Sequence, residues 1–345
     1  MKKLDYAVFI GRFQPFHMGH YHVVQEALAI ANHLIIVIGS HNKSIDIRNP
    51  IPTKKRLEII KHCLGSDDRI SFHYQPDYTY NEARWLTEIQ AAVFNIAQKH
   101  AGGWTDRPVN PQIGIIGFDK DHTTYYLKKF PQWQSIDVKP ITDINATMIR
   151  TYLYVTGNVP NREEYFLDNK HFSLVWTAIG KSNMVEEFKY IQEYKQSWEN
   201  SPYPPNHVAG DALVTQAGHI LVVARGKMPG VGQIAMPGGF LNPNESILEN
   251  VIRELREETK LKVPEPVLYG SIKNREVFDN PERSTRGRII SHTTHFELND
   301  IGKLPKVSGG DDAREAWWMP ISQFLSLRNR TFEDHHSIVS AMLGV

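Results

Sequence analysis

Three short stretches early in the chain are built almost wholly from apolar residues: 6–10 (YAVFI), 34–38 (LIIVI) and 113–116 (IGII). A strand with one face in water alternates polar and apolar residues. A strand without that alternation is buried on both faces, which is the habit of parallel sheets covered by helices. The segments between the runs have helical spacing. Residues 20–31 put Val23, Val24, Ala27 and Leu28 on one face, 53–64 open with Pro52-Thr53 as the cap, and 81–100 form a longer helix. Apolar runs alternating with amphipathic helices predict βαβ units and a parallel sheet, an α/β fold.

That pattern stops near residue 200. A polar amphipathic helix over 184–198 leads into Ser201-Pro202-Tyr203-Pro204-Pro205, and three prolines in five residues cannot continue a helix. Beyond it strands dominate, at 212–215, 219–224, 267–272, 289–296 and 316–319, with one strong helix at 245–259. The chain therefore reads as a first domain over 1–183, a helix and Pro-rich linker over 184–205, and a second domain over 206–345 with a mixed sheet. A length of 345 residues suits two such domains. No fixed-period repeat or low-complexity tract interrupts them.

Composition narrows the partners. A formal net charge of +1 with 22% charged residues offers no broad basic surface for nucleic acid or anionic membrane. The single cysteine, Cys63, allows no intramolecular disulfide and no thiolate zinc site. The start MKKLDYAVFIGRF lacks the apolar length of a signal peptide, and no run approaches a membrane span. The expectation is a cytoplasmic protein; homo-oligomerisation stays open.

Directly behind the first apolar run comes GRFQPFHMGH, residues 11–20. In an open parallel sheet, ligands bind outside the carboxyl ends of the strands. The helix that begins here offers unpaired N–H groups and a positive dipole end to phosphate. Gly19 allows close approach to backbone, His17 and His20 add two imidazoles, and Arg12 adds a planar cation. Taken alone, an HxxH pair at a helix start is most often a cap and a surface histidine.

The decapeptide resembles the HxGH signature of the nucleotidyltransferase superfamily, in the form found in nicotinamide-mononucleotide adenylyltransferases. The resemblance implies a Rossmann-like domain in which His17 and His20 bind ATP phosphates, with Gly11, Arg12, Phe13 and Gly19 around them. It also implies a second motif of ISxTxxR type, matched by Ile144-Asn145-Ala146-Thr147-Met148-Ile149-Arg150, where Thr147 and Arg150 serve the same phosphates and Asn145 stands in place of the family Ser. Asn49, Asp77 and Trp85 fall where the family meets the nicotinamide nucleotide, although Trp85 alone reads as a packed aromatic. Asp119, after Gly117-Phe118, falls where adenosine is recognised. The implied reaction is in-line attack by a nucleotide 5′-phosphate on the α-phosphorus of ATP, which asks the protein for positioning and charge stabilisation.

The second unusual stretch is PGGFLNPNESILENVIRELREETKL, residues 237–261. Asn242-Pro243-Asn244 reads as a cap with Glu245 in the first helical turn. Ile247, Leu248, Val251, Ile252 and Leu255 then form an apolar stripe. Glu254, Glu257 and Glu258 gather on one side, at spacings where like charges repel. Hard oxygen ligands in such a cluster suit Mg²⁺ or Mn²⁺, whereas the plain reading is a solvated face screened by Arg253 and Arg256. Gly239, Glu245 and the run Arg253–Glu258 match the Nudix box in residue type and spacing. Lys260 replaces the glycine usual two residues after the last glutamate, which bears on the helix exit.

Resemblance to the Nudix family implies an α/β/α domain that cleaves a nucleoside diphosphate joined to another group. Glu254, Glu257 and Glu258 would bind the metal, Arg253 would orient them, and Gly239 and Glu245 would support them. Asp311, Asp312 and Glu315 are candidates for the general base, or simply a turn. Arg283, Arg286 and Arg288 resemble a loop of ADP-ribose-cleaving members. The chain as a whole resembles bifunctional adenylyltransferase/Nudix proteins of NAD metabolism, whose substrates would be ATP, nicotinamide mononucleotide (NMN) and ADP-ribose. Three alternatives stay open: adenylyl transfer to phosphopantetheine or flavin mononucleotide, a C-terminal ligand sensor, and a hydrolase of oxidised nucleoside triphosphates.

Overall fold

The computed structural model describes residues 3–102, 110–118, 126–140, 144–180 and 184–345. The chain divides into two compact units, Met1–Val185 and Glu186–Val345.

In the first unit the elements run β1 (Leu4–Gly11), α1 (Met18–Ile30), β2 (Ala31–Ile38), α2 (Thr53–Leu64), β3 (Ile70–Tyr74), α3 (Glu82–His100), β4 (Ile113–Gly117) and β5 (Gln134–Asp137). Three helices follow: α4 (Ala146–Thr156), α5 (Arg162–Tyr165) and α6 (Asn169–Gly180). The five strands form one wholly parallel sheet in the order β3-β2-β1-β4-β5, as the apolar runs predict. Val8 lies beside Ile35 and Ile115, and these residues pack with Ile89 and Val93 of α3. Their neighbours Ala7, Phe9, Leu34 and Ile36 point the other way and are equally buried, so both faces are covered. Strand order reverses between β1 and β4, so the crevice beyond their carboxyl ends is the switch point where such sheets bind ligands.

β3 (ISFHY) and β5 (QSID) carry no continuous apolar run. Both are edge strands, paired on one side only and less buried than the centre, so they need fewer apolar residues.

The second unit opens with α7 (Met184–Gln196), which belongs to it from Glu186 onward. The Glu187 carboxylate accepts the Gly230 N–H at 3.0 Å, so this helix is docked rather than a bare tether. Then come β6 (Asn206–Gln216), β7 (His219–Arg225), β8 (Ile234–Ala235), β9 (Gly238–Phe240), α8 (Ile247–Thr259), α9 (Glu265–Gly270), β10 (Ile272–Phe278), β11 (Arg288–Glu297), β12 (Ala313–Pro320), α10 (Ile321–Ser326) and α11 (His335–Leu343). The sheet runs β10-β11-β6-β7-β12, with β8 on β7 and β9 on β6. Only β11–β6 is parallel among its pairings, so the sheet is mixed, as expected. The stripe of α8 packs on Ala212, Val214 and Leu221 of β6 and β7.

Two expectations need correction. Residues 267–272 are not a strand: α9 covers Glu265–Gly270, and the strand starts at Ile272. Pro266 presets the first helical turn, and Val267 and Tyr269 are exposed while Leu268 alone is buried. The helix expected over 245–259 starts at Ile247, capped by Ser246 in a reciprocal capping box with Glu249. Glu245 therefore precedes the helix, and its carboxylate accepts the Asn242 N–H at 2.8 Å. No helix among the described residues is long and apolar enough to cross a membrane.

Candidate active sites

The first site grows from how α1 begins. His17 is its N-cap, in extended conformation, and Nδ1 of His17 accepts the Gly19 N–H at 3.1 Å. Nδ1 of His20 in turn accepts the backbone N–H of His17 at 3.3 Å, and the two rings lie 3.8 Å apart between centroids. An imidazole that accepts at Nδ1 carries its proton on Nε2 when neutral, so this histidine capping box sets both rings as Nε2–H donors. A Cβ on Gly19 would come within 3.0 Å of the His17 ring.

Aromatic packing holds His20. Phe16 stacks on it at 5.5 Å and Phe13 meets it edge-on at 5.0 Å. Phe13 adopts φ 52°, and its ring covers Gly11, where a Cβ would come within 2.8 Å of it. The Phe16 carbonyl lies 3.1 Å from Nε2 of His171 on α6, a buried imidazole whose pKa is lowered by burial to about 4.

The second motif reaches the first. Asn145 caps α4 by accepting the Met148 N–H at 2.9 Å, so the residue replacing the family Ser performs a serine-like cap. Arg150 donates to the Gln14 carbonyl at 2.6 Å, to the Ile47 carbonyl at 3.2 Å and to Thr147 Oγ1 at 3.1 Å. It is buried, and burial lowers its pKa to about 10. Arg150 thus ties the His loop to the segment after β2. Arg12 is exposed, just beyond the end of β1.

The nicotinamide-side candidates divide. Asp77 accepts the Ser40 N–H at 3.2 Å, at the carboxyl end of β2 beside Gly39, whose N–H bonds the Gly11 carbonyl at 2.9 Å. Asn49 is buried, donates to Asp46, and has an Oδ1 without a hydrogen-bond partner. Trp85 packs against Tyr126 and Phe130, as a core aromatic would. Asp119 lies outside the described residues.

Sequence reasoning missed Arg56. This α2 residue is 2% exposed and donates to the carbonyls of Arg12, Gly39 and Ser40 at 2.6, 2.6 and 2.9 Å. It pins together the ends of β1 and β2 that frame the site. Its signal was its place on the face of α2 shared with Ile59, Ile60 and Cys63.

The second site lies between α8 and β9. Arg253 is its hub: it donates to Glu245 at 2.7 and 2.8 Å, to Glu254 at 2.8 Å and to Glu257 at 2.8 Å. These bonds hold the Glu245 carboxyl down at about 2. Glu258 is 6% exposed, and its Oε2 accepts the Gly238 N–H at 3.1 Å. Burial, with Glu254 and Asp211 nearby, pushes Glu258 up to about 8 despite that bond and Arg225; burial also raises Glu254. A Cβ on Gly239 would overlap the Glu254 carboxylate, so glycine there lets the acid lie against the β9 backbone. A buried acid and a half-buried one that resist ionisation, set beside bare backbone, fit a divalent cation, which would favour their charged forms. Among the described residues no three acidic, cysteine or histidine side chains are already gathered as a cage, because Arg253 spans Glu254 and Glu257.

Of the loop arginines, Arg283 is spent internally: it makes a buried two-pronged pair with Asp334 at 2.8 and 3.0 Å. Arg286 makes long contacts to Glu333 at 3.4 and 3.5 Å and lies over Phe240 and Phe332, while Arg288 binds Asp279. Asp311 and Glu315 are exposed, and Asp312 pairs with Lys227. Asp211 was not foreseen: buried on β6, it accepts a bond from Ser291.

Residues 8–151 match the cytidylyltransferase-like family and residues 205–341 the NUDIX domain. The nicotinamide/nicotinic acid mononucleotide adenylyltransferase of Acinetobacter baylyi is 32% identical over 156 residues, 45% of this chain and 78% of the relative. The ADP-ribose pyrophosphatase of Methanocaldococcus jannaschii is 35% identical over 134 residues, 38% of this chain and 70% of the relative. A bifunctional NMN adenylyltransferase/ADP ribose pyrophosphatase from Francisella tularensis superposes along the chain with a TM-score of 0.89, 35% identity and 99% coverage of each chain. It has also been crystallised with AMP and a manganese ion.

A histidine-capped helix at the switch point of a parallel sheet, a carboxylate helix on a mixed sheet and these matches together define a nucleotidyltransferase fused to a Nudix hydrolase. The chain belongs to the family of bifunctional NMN adenylyltransferase/ADP-ribose pyrophosphatases.

Proposed function

We propose that the first unit makes NAD and the second consumes ADP-ribose, with residues 1–183 and 206–345 as the two catalytic domains. In the first reaction a 5′-phosphate oxygen of NMN attacks the α-phosphorus of ATP. The new P–O bond forms as the bond to the β-phosphate bridging oxygen breaks, and pyrophosphate leaves. The Nε2–H groups of His17 and His20, aided by the start of α1, donate to the departing phosphates, where charge builds. Gly11, Phe13 and Gly19 shape the backbone around them, and Arg12, Thr147 and Arg150 add a hydroxyl and positive charge. The unpartnered Oδ1 of Asn49 and the carboxylate of Asp77 support a nicotinamide-nucleotide subsite beside the ends of β1 and β2.

In the second reaction water attacks the pyrophosphate of ADP-ribose, giving AMP and ribose 5-phosphate. Mg²⁺ or Mn²⁺ on Glu254, Glu257 and Glu258 would supply Lewis-acid charge neutralisation and an activated water. Arg253 and Glu245 orient those acids, and Gly239 makes room for them.

The observation that carries this reading is that one chain holds both sets of groups intact, the reciprocal histidine cap and the Arg253-bridged acids. A metal-dependent hydrolysis panel of ADP-ribose, NAD, FAD and oxidised dGTP tests the second half, with NAD formation from ATP and NMN assayed alongside. Preference for ADP-ribose supports the reading. Preference for oxidised dGTP makes the second unit a nucleotide cleanser, and no turnover makes it a sensor.

A further inference from the structure

Alternate backbone carbonyls between β1 and the cap of α1 are each held by a buried side chain from a different helix. Arg56 of α2 donates to the Arg12 carbonyl and Arg150 of α4 to the Gln14 carbonyl, both at 2.6 Å. His171 of α6 meets the Phe16 carbonyl at 3.1 Å, from 155 residues further along the chain. The three side chains are 2%, 6% and 1% exposed, so these bonds lie out of water, where a hydrogen bond is stronger. Phe16 directly precedes His17, the N-cap whose ring and backbone set the histidine pair. The two arginines hold the segment upstream, and His171 holds the last carbonyl before the cap.

A buried histidine in the first turn of a helix is ordinarily satisfied by its own helix, and one side of His171 is. Its Nδ1 accepts the Leu167 N–H at 3.1 Å, and its backbone N–H donates to Asp168 at 2.7 Å. Accepting at Nδ1 leaves the neutral ring's proton on Nε2, and that proton is given to the Phe16 carbonyl. Burial keeps the ring neutral by lowering its pKa to about 4. Phe166 meets the ring edge-on at 5.1 Å, and Nε2 of His62 on α2 lies 3.0 Å from both carboxylate oxygens of Asp168, so the start of α6 is braced from α2. We propose that His171 is a positioning residue for adenylyl transfer: through the Phe16 carbonyl it fixes the backbone that presents His17 and His20 to the phosphates of ATP. This rests on the adenylyltransferase reading and adds to it a part of the fold beyond both sequence motifs. Donors held slightly out of place stabilise the leaving phosphates poorly, so the effect falls on the chemical step rather than on NMN binding.

Two substitutions divide the two bonds of the ring. His171→Asn keeps an acceptor near the position of Nδ1 and loses the donor; His171→Gln keeps a donor near the position of Nε2 and loses the acceptor. In the full-length protein, His171→Asn is expected to lower kcat for NAD formation roughly 10- to 100-fold, the scale of a misplaced catalytic group. KM for NMN should stay within about two-fold, as for an interaction that matters only in the transition state. His171→Gln should recover kcat to within about three-fold of the parent, because the donor is retained. In the parent itself, nitrogen NMR spectra of the histidine rings near neutral pH should show the His171 proton on Nε2. Urea unfolding of each variant reports whether the first unit is folded. Equal loss of kcat in both variants, or parent kcat in both, would overturn the positioning role and leave His171 a packing residue of α6. Where His171→Asn does not fold, a folded His171→Gln with kcat lowered about ten-fold or more, or a parent ring protonated on Nδ1, overturns it as well. A parent that forms no NAD from ATP and NMN overturns the adenylyltransferase reading itself, which is a separate result.

Discussion

The two sites serve the same ligand chemistry, phosphoanhydrides, with different groups, neutral hydrogen-bond donors at one and carboxylates at the other. At the first, the candidate groups are donors whose protons are set by backbone: His17 and His20 each accept an amide N–H at Nδ1. At the second, the candidate groups are carboxylates. Glu258 is buried and raised to about 8, while Arg253 holds Glu254 and Glu257. A neutral donor can be placed by a cap and left ready. A cluster of acids must be screened until a cation arrives, and Arg253 is that screen. Preorganisation is therefore local and hydrogen-bonded in the first unit, and electrostatic in the second.

Single substitutions should separate the two units cleanly. His20→Ala is expected to lower NAD formation at least ~10²-fold, the scale for losing one transition-state donor, and to leave ADP-ribose hydrolysis at its parent rate. Glu258→Gln should do the converse, with a loss of at least ~10²-fold in hydrolysis by removal of a metal-binding charge. Steady-state assays of both reactions on each protein decide the matter. If either change removed both activities from folded protein, the sites would not be independent.

Stability should divide the same way. Arg56→Met removes the donor shared by the carbonyls of Arg12, Gly39 and Ser40 and leaves buried acceptors unpaired. The expected cost is ~3 kcal/mol or more. In denaturant unfolding followed by activity, NAD formation should be lost at lower urea than in the parent, with the hydrolase midpoint unmoved.

The two units should also respond to pH with opposite sign. His171 has a folded pKa depressed from 6.5 to about 4. Between those values the unfolded chain binds more protons, so its contribution strengthens as pH rises toward 6.5 and is lost as pH falls to 4. Glu258 has a folded pKa raised from 4.5 to about 8. Between those values the folded chain binds more protons, so without metal its contribution weakens as pH rises. Each slope is at most about 1.4 kcal/mol per pH unit. Stability measured in chelator, parent minus His171→Asn and parent minus Glu258→Gln, should give slopes of opposite sign over pH 4.5–6.5.

What could be read from the chain alone follows the same contrast between local and nonlocal determinants. The central strands were legible because burial on both faces leaves an unbroken apolar run; the edge strands β3 and β5 were not, because half-buried strands leave no such signature. His17 and His20 were legible because a cap is set by residues two and three apart. The backbone carbonyls held by Arg56 and Arg150, and the Asp334 partner of Arg283, lie 16 to 136 residues away, and Arg283 is spent on Asp334 in a way no local pattern discloses. The pattern sets the start of α8 two residues early, at Glu245, because Asn242-Pro243-Asn244 is a stronger turn signal than Ser246, the residue that caps.

The smallest expected effect concerns the exit of α8, where this chain departs from the Nudix pattern. Lys260 adopts φ 54°, a left-handed conformation that costs a residue with a Cβ about 1 kcal/mol relative to glycine. Part of that cost is offset, because Lys260 Nζ donates to the Glu257 carbonyl at 2.8 Å and caps the last turn. The next carbonyls are already satisfied by loop amides: Gly310 N–H bonds Glu258 at 3.1 Å and Ser308 N–H bonds Thr259 at 2.9 Å. Removing the lysine side chain therefore exposes one carbonyl at a solvated position while relieving the backbone. Lys260→Gly should stabilise the second unit by ~0.5 kcal/mol, the backbone gain less the lost capping bond, with hydrolysis unchanged. Lys260→Ala, which loses the capping bond and keeps the Cβ, should destabilise it by a similar amount. Urea midpoints for the pair separate the two contributions: a Gly variant no more stable than the Ala variant would mean that the capping bond, not the left-handed backbone, dominates the helix exit.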